Sequence, residues 1–191
     1  MLTNRLGLSV AVLTLGMAGV MSQASAAPVL GATLIYGGGS VSVEVMPASA
    51  GYTSELGLYD ATFTRVGSYI ALNTDVGAVV DITSLITSNG FLAGDELMFG
   101  IYVQNTGNTF FMGPAVRNPD GVLHAGVDIV STTPTYTADV LFEDLLNGGD
   151  KDYNDNVFRF RGSIGASVPE PGTLLLAGLG LLGLGALRRK H

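Results

Sequence analysis

Tyr136-Thr137-Ala138-Asp139-Val140-Leu141-Phe142 and Val157-Phe158-Arg159-Phe160 are β-branched and aromatic runs, and fourteen residues rich in Asp, Asn and Gly separate them. Alternation of this kind suits a strand with one buried face, and Asn147-Gly148-Gly149 between the runs is turn chemistry. The segment therefore reads as strand, acidic loop, strand. The same signature recurs at Val41, Val43 and Val45 and from Leu97 to Val103. Turn residues separate these runs at Gly37-Gly38-Gly39-Ser40, Asn89-Gly90, Asn105-Thr106-Gly107-Asn108 and Asn118-Pro119-Asp120-Gly121. Only Asp81 to Thr87 has weak helical character, with Asp81 or Thr83 as its cap. Short strands punctuated in this way predict an all-β fold, an antiparallel β-sandwich.

The chain has 191 residues, of which 47% are apolar and 13% charged, so it has the means to build a packed core. Sixteen acids against nine bases give a net charge of −7. Between Ala27 and Ser167 stand all the acids but Glu170, against Arg65, Arg117, Lys151, Arg159 and Arg161, so this middle region is more acidic than the whole. Such a surface repels phosphate and argues against a nucleic-acid partner. Cysteine is absent, which excludes disulfides, thiolate metal sites and cysteine nucleophiles together.

Both ends read as addresses. Arg5, the apolar stretch from Leu6 to Met21 and the small residues of Ala24-Ser25-Ala26 make residues 1–26 a signal peptide. Signal peptidase is expected to cut after Ala26, using Ala24 and Ala26 as its recognition pair. At the other end, Thr173 to Leu187 is apolar and is followed by Arg188, Arg189, Lys190 and His191. Fifteen residues at about 1.5 Å each reach roughly 22 Å, a short transmembrane helix that needs local thinning or snorkelling cations. The basic tail, 188–191, is expected to stay cytoplasmic. Pro169-Glu170-Pro171 precedes the apolar run, and its prolines block helix and sheet. The expected organisation is a β-sandwich over residues 27–162, a linker with this motif over 163–172, a helix over 173–187 and the tail.

The order Pro-Glu-Pro, apolar helix, basic cluster resembles the PEP-CTERM sorting signal of Gram-negative bacteria. That resemblance implies exosortase as a partner, a membrane-embedded enzyme that cleaves near Pro169, Glu170 and Pro171 and releases or transfers the exported domain. Arg188, Arg189 and Lys190 match the signal's basic stop.

The acidic loop holds the densest polar chemistry. Two carboxylates about 5 Å apart repel by roughly 3 kcal/mol at an effective dielectric of about 20, so gathering them calls for a counter-charge. Oxygens at Asp150, Asp152 and Asn154 repeat the 1, 3, 5 spacing of calcium loops. Asp155 and Arg161 stand where an EF-hand needs Gly and Glu, so this is no EF-hand. Phe-Glu-Asp-Leu, then Gly-Gly-Asp-Lys-Asp-Tyr-Asn-Asp, then an apolar strand, resembles DUF4114, a bacterial extracellular domain family, over residues 141–160. That resemblance implies Ca2+ held by Glu143, Asp144, Asp150, Asp152, Asn154 and Asp155. The competing reading is a solvated acidic hairpin whose Asp and Asn residues only shape a turn.

Catalytic signals are weak. The lone His124 of the middle region reads as a surface or satisfied core residue, and clustered acids on one loop place acid and nucleophile poorly for glycoside hydrolysis. Tyr36, Tyr52, Tyr59, Tyr69 and Tyr102 read as sheet packing rather than a carbohydrate surface. The expectation is a non-enzymatic protein of the cell surface or extracellular matrix, in contact with extracellular polysaccharide or acting in adhesion. The alternatives are a secreted carbohydrate-active hydrolase and a metal-free structural domain.

Overall fold

The structure, a computed structural model, describes residues 27–167 and Pro169. In chain order the strands are β1 (Val29–Leu30), β2 (Thr33–Val45), β3 (Ser54–Tyr59), β4 (Arg65–Leu72) and β5 (Val79–Asp81). After the short helix α1 (Thr83–Ser88) come β6 (Glu96–Val103), β7 (Asn108–Phe111), β8 (Ala125–Ser131), β9 (Tyr136–Phe142) and β10 (Asn156–Ser167). The signal peptide, Glu170 and Pro171, the apolar helix and the basic tail lie outside the described residues.

All ten strands belong to one antiparallel sheet with the order β1-β8-β9-β10-β2-β6-β3-β4, β5 adding to β2 and β7 to β6. The sheet folds over on itself to make the two layers. Phe99 on β6 and Phe160 on β10 have ring centroids 4.4 Å apart although β2 stands between those strands in the sheet. Alternation supplies the core: Val41, Val43 and Val45 of β2, Phe158 and Phe160 of β10, and Val140 and Phe142 of β9 point inward and are fully buried. The opposite faces carry Glu44, Asp139, Arg159 and Arg161. There Arg159 grips Asp139 through two bonds of 2.7 and 2.8 Å, and Arg161 meets Glu44 at 2.5 Å.

The expected strands and the all-β class are present, but two glycine-rich segments do something other than expected. Gly37-Gly38-Gly39-Ser40 is no turn; it lies inside β2. Ser163 to Ser167 is no linker; it continues β10. The reason is close approach. A side chain at Gly37 would stand 2.5 Å from Ser163 Oγ, and one at Gly162, whose φ is 126°, would collide with the Ser40 carbonyl. The register shifts between Gly162 and Ile164. Beyond this bulge the β2–β10 ribbon leaves the first layer, and β2 joins β6 through Leu34↔Leu97 and Ile35↔Glu96. In α1, Asp81 takes the Thr83 N–H at 2.8 Å, while the Thr83 hydroxyl accepts the Val41 N–H of β2.

Candidate metal centre

The acidic loop joins β9 to β10, neighbours in the first layer. Glu143 begins it, and its N–H donates to the His124 carbonyl at 2.9 Å, extending the β8–β9 ladder by a step. The backbone then curls through left-handed conformations at Asn147, Gly148, Gly149, Lys151 and Tyr153. Asn and Gly adopt these readily, whereas Lys151 and Tyr153 are held there against their preference. The curl turns Asp150 and Asp152 toward Glu143, and one carboxylate oxygen from each of the three lies within 4.8 Å of the others.

Glu143 is fully buried. Its Oε1 accepts the Tyr153 N–H at 2.5 Å, and its Oε2 has no hydrogen-bond partner. That free oxygen faces the backbone of Gly149, where a side chain would stand 2.5 Å away, and the φ of 48° there independently favours glycine. Burial pushes the Glu143 carboxyl up; the Tyr153 N–H opposes this, and the charges of Asp155, Asp150 and Asp152 add to it. The Tyr153 phenol is likewise raised by burial and by the Glu143 charge.

The six expected ligands divide into groups. Asp144, the neighbour of Glu143, turns the other way, as successive residues of extended chain do. Its N–H donates to Asp155 Oδ2 at 3.2 Å, and burial, with the Asp155 charge behind it, pushes its carboxyl up to about 6. Asn154 caps Asp152: its backbone N–H donates to Asp152 Oδ1 at 3.1 Å, and its side-chain amide donates to Asp152 Oδ2. Lys151 is exposed, its stem lying over Gly148.

A brace from a distant segment escapes sequence reasoning. His124 is fully buried in the core and stacks on Phe110 with ring centroids 3.9 Å apart. Its Nδ1 bonds the Glu143 carbonyl at 3.1 Å, and its Nε2 bonds Asp120 Oδ2 at 2.9 Å. The same Asp120 oxygen accepts the Asn147 N–H at 2.7 Å, so the 118–121 turn is bolted to the first arm of the acidic loop. Burial pulls the Asp120 carboxyl up, but His124 and the N–H groups of Asn147 and Val122 outweigh it and hold it below its ordinary value. The one sequence signal for this brace is an Asp-Gly turn shortly before a lone histidine. The five tyrosines do not form one surface: Tyr59 and Tyr102 line a shallow pocket with Glu55 and Arg65, whereas Tyr36 is buried, Tyr52 half-buried and Tyr69 exposed on β4.

Residues 167–190 match the PEP-CTERM protein-sorting motif. The match begins at the last residue of β10 and takes in Pro169, Glu170, Pro171, Arg188, Arg189 and Lys190. It implies exosortase as the sorting partner and an exported, membrane-transiting protein of a Gram-negative bacterium. No curated protein and no solved structure matches the chain.

Proposed function

We propose that this is a non-enzymatic protein of the bacterial surface or extracellular matrix, delivered by exosortase, whose acidic loop closes around one calcium ion. The observation that carries the calcium reading is the buried, unpartnered Oε2 of Glu143, in a carboxylate that gathers with those of Asp150 and Asp152 within 4.8 Å. A lone buried carboxylate oxygen costs about 1–3 kcal/mol, more when charged, and fixed anions beside it raise that cost. A divalent cation removes the cost. The donors are all hard oxygens with no His or Cys among them, which suits calcium better than zinc or copper. Glu143, Asp150 and Asp152 form the first set. The Asn154 amide and loop carbonyls are near enough in sequence to complete the shell, while Asp155 accepts the Asp144 N–H.

The likeness of residues 141–160 to DUF4114 is consistent with this reading. A structural or adhesive role, against extracellular polysaccharide or other surface components, fits an acidic sandwich. His124 has both ring nitrogens engaged and is sealed from solvent, which favours a bracing role over acid–base chemistry. The test is calorimetric titration and thermal melting of the exported chain with calcium, against magnesium at matched ionic strength. Calcium at about 100 times its dissociation constant should stabilise the fold by roughly 2.7 kcal/mol. Asp152→Ala should abolish most of that gain. An equal response to both ions, or an undiminished calcium response in the variant, rejects the site.

A further inference from the structure

We propose that Ser163 to Ser167, the last five residues of β10, form a detachable strand end that must peel from β2 before exosortase can process the chain; this rests on the sorting reading above. The first half of the expected linker, Ser163 to Ser167, is strand: β10 is paired as far as Ser167, and Pro169 is the second residue beyond it. Pro169 itself lies against Gly31, its Cγ 3.6 Å from where a side-chain carbon there would stand. Proteases bind substrate as an extended strand, through the backbone N–H and carbonyl groups of several residues around the bond they cut. Residues engaged in a sheet cannot offer those groups, so cleavage follows the population of the opened form.

The end of β10 is built to open separately from the rest. From Phe158 to Gly162 the strand is held on both edges, by β9 and by β2, and it seats Phe158 and Phe160 in the core. The β9 ladder stops at Gly162↔Tyr136. Past the bulge, the ladder to β2 continues through Ile164↔Tyr36, Gly165↔Ile35, Ala166↔Leu34 and Ser167↔Thr33. On the other edge, Ala166 meets the Tyr136 phenol. The five residues are Ser, Ile, Gly, Ala and Ser, and among them Ile164 alone is buried. The bulge at Gly162 separates the two halves, so the second can open while the first keeps the core closed. This opening breaks only hydrogen bonds and packing.

The chain has no cysteine, which makes the opening testable by a reversible lock. Thr33 and Ser167 are register partners, and facing residues of antiparallel strands lie within disulfide reach. The full-length Thr33→Cys/Ser167→Cys chain, expressed in an exosortase-bearing host, is followed by mass through a time course of processing. The oxidised form should be processed at least about tenfold more slowly than wild type, and reduction should restore the rate. Six Gly and Ser residues inserted between Ser167 and Val168 should restore processing of the locked chain without reduction. Processing of the locked chain at the wild-type rate overturns the proposal. So does failure of the insertion to restore it, because the lock then acts by something other than withholding the strand. A chain with Pro169, Glu170 and Pro171 all changed to Ala is the separate control: wild-type processing there removes the sorting reading, and the strand inference falls with it.

Discussion

Replacing Glu143 by Gln should reverse its stability ranking against wild type when calcium is added. In the fold, Glu143 is fully buried, Oε1 accepts the Tyr153 N–H, Oε2 has no partner, and one carboxylate oxygen lies within 4.8 Å of one from Asp150 and one from Asp152. Glutamine has the same shape. Its carbonyl keeps the Tyr153 bond, and its NH2 puts a donor in place of the unsatisfied acceptor, in a cluster that holds two further carboxylates. Without divalent ions at pH 7 the variant should therefore be more stable than wild type, by the about 1–3 kcal/mol that an unsatisfied buried acceptor costs. At roughly 3–4 °C per kcal/mol for a fold of this size, its melting point rises by several degrees. With calcium at about 1,000 times the wild-type dissociation constant, wild type gains roughly 4.1 kcal/mol, or about 12–16 °C, and overtakes the variant, which has lost a charged ligand. The assay is thermal melting of both chains in chelator, magnesium and calcium. A Glu143→Gln chain that melts below wild type in chelator and gains as much from calcium would show that Oε2 is satisfied and no ion binds there.

Other consequences concern proton linkage, the corner of the sheet and the brace. Asp144, with its carboxyl raised to about 6 from 3.8, binds its proton more tightly folded than unfolded. Its contribution is fully present below about pH 3.8 and is lost as pH rises to about 6, so Asp144→Asn should flatten the melting profile of the metal-free chain across that window and stabilise it at pH 7. Gly162→Ala forces a side chain into the Ser40 carbonyl at a positive φ and should cost more than about 2 kcal/mol in urea unfolding, with the β2–β10 register lost first in amide exchange. Asp120→Ala removes the partner of His124 and of the Asn147 N–H and should cost about 1–3 kcal/mol near neutral pH. Because the Asp120 carboxyl is held low, that loss should shrink as the pH falls below its unfolded value, and an acid-insensitive loss would contradict the hydrogen-bond account.

The fold class was legible because the strongest strands announce themselves. Tyr136 to Phe142 alternates buried and half-buried side chains, and the run from Leu97 to Val103 buries nearly all its members; both are strands over those residues. The glycine-rich segments misled for a physical reason. Glycine marks a turn where φ must be positive and marks a close approach where a Cβ would collide, and sequence alone does not separate the two uses. At Gly37 and Gly162 the collision is with a partner strand more than a hundred residues away, information that local composition does not contain. The acidic loop shows the same boundary. Its two glycines and alternating acids place Asp150 and Asp152 near Glu143, but the opposite turn of Asp144 depends on where β9 ends, and Asp120 and His124 arrive from another turn altogether.

The loop and the sorting end of β10 share a wall that neither sequence segment foretells. The Tyr153 hydroxyl donates to the Leu123 carbonyl at 3.1 Å, and the Leu123 side chain and Pro169 both flank Gly31. Contacts thus run from Glu143 through Tyr153, Leu123 and Gly31 to the first proline of the motif. Adjacency alone is not coupling; coupling requires an element with two arrangements that both sites bias. Ser163 to Ser167 is such an element under the proposal above, closed on β2 or open to a protease. Under the calcium proposal, the ion would act on sorting only by the factor with which it changes that opening, and by reciprocity the open form would bind calcium weaker or tighter by the same factor. Amide exchange at Gly165, Ala166 and Ser167 with and without calcium reads that factor directly. A factor of one would separate the two proposals, leaving the acidic loop and the strand end to act independently on one small sandwich.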